Sequence, residues 1–183
     1  MATGFNVPGM TAKDSKTVIK ALQDRLNAYT DLHLTLKHVH WNVVGPTFIA
    51  VHEMIDPQVE AVRGFADETA ERIATMGGTP VGTPGAMVKD RGWDEYSIGK
   101  DTAQAHLGAL DLVYTGLIKS CREAIETVGE LDPISEDLLV SQTSQLEQFH
   151  WFIRAHLESS SGQLSTTGSK TEVQAAAAAK KAK

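Results

Sequence analysis

The chain has 183 residues and a single cysteine, Cys121. One thiol builds no disulfide framework, so a packed core and a reducing cytoplasm are the expected setting. The cysteine lies in LIKSCREAI, a helical pattern, and reads as a packing residue rather than a reactive thiol. No apolar run approaches twenty residues, which excludes a membrane-spanning helix. The opening MATGFNVPGMTAKDSK lacks the basic-then-apolar order of a secretory leader. There is no phosphate-binding glycine motif, no Gly-x-Ser-x-Gly elbow and no Cys–His pair with an orienting group, so the usual nucleotide-binding and nucleophilic-hydrolase classes lack support. Positive charge is scarce as well, and the net charge is −6. Lys170, Lys180, Lys181 and Lys183 against Glu172 give the last 19 residues +3, which leaves −9 on the other 164. A body so acidic repels nucleic acid and favours cations.

What is present is helical. Apolar residues recur at threes and fours from about Asp14 to Val44, with Val18, Leu22, Leu26, Tyr29, Leu32, Leu36 and Val39 on one face and Asp14 or Ser15 as the cap. Gly45-Pro46 ends this helix. A second runs from about Thr47 to Met76 and closes at Gly77-Gly78. Pro57 conflicts with it and predicts a kink, or a new start with Asp56 as N-cap. A connection of more than twenty residues comes next, too long for a turn between adjacent helices, with a short helix expected at AMVKDR. A third helix is predicted over about Lys100–Val128 and a fourth over about Ser135–Leu157, started by SEDL. Residues 159–183 are low in complexity and read as a tail, disordered or fraying as an alanine-rich helix. The expected architecture is therefore all-α: an extension over 1–13, a four-helix bundle over 14–162 with one long crossover between helices 2 and 3, and a flexible tail over 163–183. That is the ferritin-like topology.

The chemistry concentrates in KHVHWNVVGPTFIAVHEMIDPQVEAVRGFADETAER, residues 37–72. With His52 at zero on a helix, Asp56, Asp67 and Glu71 fall at about 40°, 60° and 100°, so all four share a face. Imidazole and carboxylate together suit iron. Yet His52 and Asp67 are fifteen residues apart, roughly 22 Å along the axis, while one ion holds its ligands at about 2–2.5 Å. One chain therefore carries two half-sites, His52/Asp56 and Asp67/Glu71. Two copies meeting antiparallel about a two-fold axis would complete two centres, with His40 joining the first half. The other reading is a solvated helix face, with Glu68–Arg72 as one of its salt bridges and Asp56 as a cap. A ferritin-type site inside one bundle needs Glu-x-x-His on two helices. Only Glu147-Gln-Phe-His150 is present, so His150, like His33, His106 and His156, reads as structural.

The run HWNVVGPTFIAVHEMID followed by FADETAERI resembles the Dps family, DNA-binding proteins of starved bacteria, and its members with a C-terminal lysine tail. The spacing His, His at +12, Asp at +4, Asp at +11, Glu at +4 matches without a gap, and helix order agrees over about residues 5–160. The resemblance implies a dodecamer of 23 symmetry built from two-fold dimers. It implies ferroxidase centres shared between subunits: His40, His52 and Asp56 from one, Asp67 and Glu71 from the other, with Trp41 and Lys37 nearby. It further implies oxidation of Fe²⁺, preferably by hydrogen peroxide or otherwise by dioxygen, storage of ferric mineral, and protection of DNA. Iron entry through acidic three-fold pores would draw on Glu130, Asp132, Glu136 and Asp137. Sequence-independent DNA binding would use Lys170, Lys180, Lys181 and Lys183. The location implied is the cytoplasm, beside the nucleoid. A metal-dependent hydrolase using the same cluster, and a non-catalytic nucleoid scaffold, are the competing readings.

Overall fold

The computed structural model describes residues 6–182. Its elements are α1 (Ala12–Asn42), β1 (Val43–Val44), α2 (Phe48–Thr75), α3 (Pro84–Asp90), β2 (Asp101–Thr102), α4 (Ala103–Gly129), α5 (Pro133–Ala155) and α6 (Glu172–Lys181). The four long helices form the bundle, α1 with α2 and α4 with α5 as hairpin pairs joined by short turns, and the α2–α4 connection is the crossover. All seven apolar residues read from the α1 periodicity are buried. One core cluster joins Tyr29, Leu36, Ile55, Leu110, Tyr114, Leu146 and Ile153, and includes Cys121. A second, towards the opposite end, joins Leu22, Leu26, Ile73, Met76 and Leu139. Each fully buried side chain of this size contributes about 1.5–3 kcal/mol. Among the described residues, no helix is long and apolar enough to cross a membrane.

The helix ends differ from expectation for local reasons. α1 starts at Ala12 because the Thr11 hydroxyl accepts the Asp14 N–H at 3.1 Å; Asp14 thus sits in the first turn, not at the cap. It stops at Asn42 because Val43 and Val44 leave the helix to pair in parallel with Asp101 and Thr102, which fixes the end of the crossover to the end of α1. α5 is capped by Asp132, whose carboxylate accepts the Ser135 N–H, so SEDL lies inside the helix and does not cap it. The short crossover helix covers Pro84–Asp90, slightly earlier than read. Asp31 of α1 pins the crossover just beyond α3, pairing with Arg91 and accepting the Trp93 indole N–H at 2.7 Å.

Pro57 starts no new helix, and Asp56 caps nothing: α2 runs through both. The carbonyl left without a donor belongs to Glu53, and Glu53 and Pro57 both lie on the exposed face, where water can take the missing bond. The residual strain predicts that Pro57→Ala raises stability by about 1–2 kcal/mol, helix propensity outweighing the lost rigidity of the unfolded chain. A urea midpoint unchanged or lowered would refute this.

Two further expectations are corrected. Arg72 does not pair with Glu68. It donates to Asp132 at 2.7 Å and to the Ser135 hydroxyl at 2.9 Å, because a buried carboxylate attracts it more strongly than an exposed one. Nor is the described part of residues 163–183 a loose tail. It ends in a formed helix, α6, laid on α4 with Ala175, Ala176 and Ala179 buried. Composition predicted no core there because alanine buries little area; a close helix approach at Gly108 compensates for it. Lys183 and residues 1–5 of the expected extension lie outside the described residues.

Candidate metal centre

α1 and α2 are joined by a tight turn in which Gly45 takes a positive φ of 105°. The turn folds the last turn of α1 onto the first turns of α2. That brings His40, His52 and Asp56 together, each offering one ligand atom, all within 4.8 Å of one another. The rings of His40 and His52 stack at 3.6 Å between centroids. His52 is oriented through Nδ1, 3.0 Å from the His40 carbonyl, which leaves Nε2 as its free ligand atom if Nδ1 donates. His40 Nε2 lies 3.1 Å from Asp56 Oδ1 but at an angle that makes no hydrogen bond. This buried nitrogen beside a carboxylate suits a cation between them, since a buried polar atom left unpaired is costly. Desolvation pushes the His40 imidazole below its ordinary pKa, Asp56 opposing. Its ring is neutral at neutral pH and its lone pair is available.

Lys37, one turn before His40, puts its ammonium against two of these residues. Its ammonium is 3.2 Å from Asp56 Oδ1 and 3.3 Å from His40 Nδ1, and 5.9 Å from the Trp41 ring centroid. Partial desolvation would raise the Asp56 carboxyl, but the Lys37 hydrogen bond and His40 outweigh it and hold the group below its usual value. A divalent ion entering here must displace or repel that ammonium. Lys37→Gln is therefore expected to tighten binding of a Zn²⁺ probe roughly three- to tenfold at neutral pH; calorimetric titration finding weaker binding would contradict this.

Asp67 and Glu71 lie exposed further along α2, and neither joins the cluster. With α2 continuous over Phe48–Thr75, their axial separation from His52 stays at roughly 22 Å for Asp67. The structure thus brings together three of the five residues read from the sequence and leaves two at the other end of the same helix. Around the three, Trp41 is 71% exposed and Phe48 and Ile49 are also exposed, with the Phe48 ring edge-on to His52 at 6.0 Å. Sequence reasoning missed Phe48 and Ile49; two large apolar residues beginning a helix beside a proposed ligand were the available signal.

The histidines outside the cluster that the sequence reading set aside have structural surroundings. His150 binds Asp111 at 2.7 Å, while Glu147 pairs with Arg122. His106 is buried and faces the Tyr96 hydroxyl, His156 is bonded to the Phe152 carbonyl, and His33 is half-buried. Of the acidic residues near the start of α5, Glu130 and Asp137 are exposed and Glu136 is half-buried against Gly129. Asp132 is turned inward, 5% exposed and held by Arg72 and its own cap. Those contacts all fall on Oδ2, which makes Asp132 the least exposed of the four.

A family model described as the ferritin-like domain matches residues 19–161, which agrees with the bundle and its long crossover. The chain is 61% identical over 174 residues to the DNA protection during starvation protein of Mycolicibacterium smegmatis, covering 95% of each. The solved Dps of Mycobacterium smegmatis matches with a TM-score of 0.91 at 61% identity, over 92% of this chain and 97% of that one. DpsA14 from Streptomyces coelicolor matches with a TM-score of 0.87 at 61% identity, over 87% and 95%. The chain belongs to the Dps family, a group of ferritin-like proteins whose general function is to oxidise and store iron.

Proposed function

We propose that this protein oxidises Fe²⁺ at a centre completed by two copies of the chain, stores the ferric product inside a dodecamer, and protects DNA to which its C-terminal lysines bind. One observation carries the reading: His40, His52 and Asp56 are gathered into half a ligand set, and the matching half, Asp67 and Glu71, lies on the same face of α2 but out of reach. Antiparallel pairing of two α2 helices about a two-fold axis brings each half to the other. Exposed Trp41, Phe48 and Ile49 supply an apolar rim for that contact.

In this reading Fe²⁺ is the substrate. The chain's part is to present neutral imidazole and ionised carboxylate in fixed positions while leaving room for the oxidant. With hydrogen peroxide, two ferrous ions each lose one electron, the O–O bond takes both and breaks, and two protons complete two waters. With peroxide, one two-electron step consumes the oxidant without releasing hydroxyl radical, which is the outcome that protects DNA. Glu130, Asp132, Glu136 and Asp137 are the residues proposed for iron entry. Lys170, Lys180, Lys181 and Lys183 are the proposed phosphate contacts, weak on one chain and strong when twelve arms act together.

The test is anaerobic loading with Fe²⁺ followed by peroxide or air. Ferric absorbance should develop faster with peroxide, at about two Fe²⁺ per peroxide, and nicking of added plasmid should fall. No oxidation above buffer rates would overturn the proposal. The hydrolase reading has less to stand on. A cavity of about 690 Å³ exists, but Leu32, Trp93, Tyr96, Leu112 and Val113 are among its lining residues, and none of the three clustered ligands is.

A further inference from the structure

Beyond α5 the chain does not wander. The Thr166 hydroxyl reaches into the bundle and donates to Asp111 Oδ2 at 2.6 Å. Thr171 caps α6, and the Glu172 carboxylate accepts both the backbone N–H and the hydroxyl of Ser97 at 2.8 and 2.9 Å. At the far end Lys180 donates to Asp101 at 2.8 Å. Between these anchors α6 meets α4 at a notch. A Cβ on Gly108 would sit 2.5 Å from the Ala175 carbonyl oxygen and 2.8 Å from the Ala179 methyl. Only a glycine there lets the two backbones come so close.

This attachment is specific but shallow. Its apolar contacts are alanines, the ten residues of α6 are too few for a helix that is stable alone, and the Lys180–Asp101 pair is partly exposed and so contributes little. Three features of the docked arm work against binding a polyanion. Lys180 is already neutralised. The arm also carries a carboxylate of its own, Glu172, at its other end. Asp94 and Glu95 of the crossover line the same cavity as Lys170. Of the arm's described lysines, only Lys170 and Lys181 stand exposed with no carboxylate in salt-bridge range.

We propose that α6 is a clasp that restrains its own DNA-binding lysines: docked in the Gly108 notch the arm is a poor ligand for duplex DNA, and DNA captures the released arm. This rests on the reading of the arm lysines as the DNA contact. Docking and DNA compete for Lys180, so apparent affinity is the affinity of the free arm reduced by the fraction of arms that are free.

Two variants open the clasp from opposite sides without changing charge. Gly108→Ala places a methyl against the Ala175 carbonyl while favouring α4 itself, since alanine is the better helix former. Ala175→Gln acts from the arm and leaves the body untouched. Hydrogen exchange of the α6 amides reads docking. Binding of the full assembly to random-sequence duplex DNA at fixed salt reads affinity, and a chain lacking residues 165–183 serves as reference. In the wild type the α6 amides should be protected; in both variants they should exchange freely and DNA should bind about tenfold tighter, as for an arm docked nine-tenths of the time. Unprotected amides in the wild type overturn the clasp, as does continued protection in both variants. Free exchange without tighter binding, with binding lost on truncation, overturns the clasp but leaves the lysines as the DNA contact. Unchanged binding after truncation removes that contact and the clasp with it. If Gly108→Ala does not assemble, Ala175→Gln decides.

Discussion

Chains carrying His52→Ala and chains carrying Asp67→Ala, each inactive alone, should recover about a quarter of the wild-type Fe²⁺ oxidation rate when co-assembled in equal amounts. Each substitution removes a proposed ligand from one half-site and leaves the other half intact. In a dimer of two like variants, both centres are broken. In a mixed dimer, one centre combines the two damaged halves. The other combines the intact Asp67/Glu71 half of the first chain with the intact His40/His52/Asp56 half of the second. Random pairing makes half of the dimers mixed, and half of their centres work. Loss of one ligand should slow each single variant by at least 10- to 100-fold, so the recovered quarter stands clear of background. A centre contained within one chain would recover nothing on mixing, and that result would end the shared-site proposal.

The bundle was legible because its helices are long and their apolar faces regular, as the burial of every periodic α1 position shows. The clustering of His52 with Asp56 was legible for a related reason: they lie one helical turn apart, and a fixed four-residue spacing survives any tertiary arrangement. What escaped depended on a partner distant in sequence. Arg72 has Glu68 four residues away, yet it turns to Asp132, sixty residues on, because α2 and α5 meet there. Lys37 gains its contact with Asp56 only once the turn at Gly45 has carried Asp56 back beside it. Pro57 was overweighted, because propensity does not record that the orphaned carbonyl faces solvent.

The arm shows the same boundary from the other side. Nine of the ten residues 172–181 are strong helix formers, with almost no apolar mass, and local reading cannot separate a fraying helix from a docked one. The deciding residue is Gly108, more than sixty positions earlier. Inside a helix a glycine costs about 1 kcal/mol relative to alanine. That cost makes sense only if another backbone needs the space, and α6 takes it.

Asp111→Ala should be the most destabilising of the substitutions considered, by about 3–5 kcal/mol. The residue is 4% exposed and carries three partners at once: Oδ1 accepts from Arg154 at 2.8 Å and meets His150 Nε2 at 2.7 Å, and Oδ2 accepts from Thr166 at 2.6 Å. Removing it strands a nearly buried imidazole beside the Tyr114 ring and a buried hydroxyl, and leaves Arg154 with only Thr115. Desolvation alone would raise this carboxyl, but His150, Thr166 and Arg154 together hold it far below the ordinary carboxylate value. A depressed acid contributes its full stability above the unfolded value of about 3.9 and loses it as pH falls towards the folded value. The part of the difference due to the carboxylate should therefore be fully present above about pH 5 and shrink under stronger acid. Urea unfolding at a fixed protomer concentration measures it, with an unchanged m-value showing that the midpoint shift is a stability change. The same substitution removes the acceptor that fixes Thr166, so segment 158–170 should become the first site of proteolysis while the α1–α2 half-site keeps its metal affinity. A loss below 1 kcal/mol, or a resistant segment, would mean that Asp111 does not organise this end of the bundle.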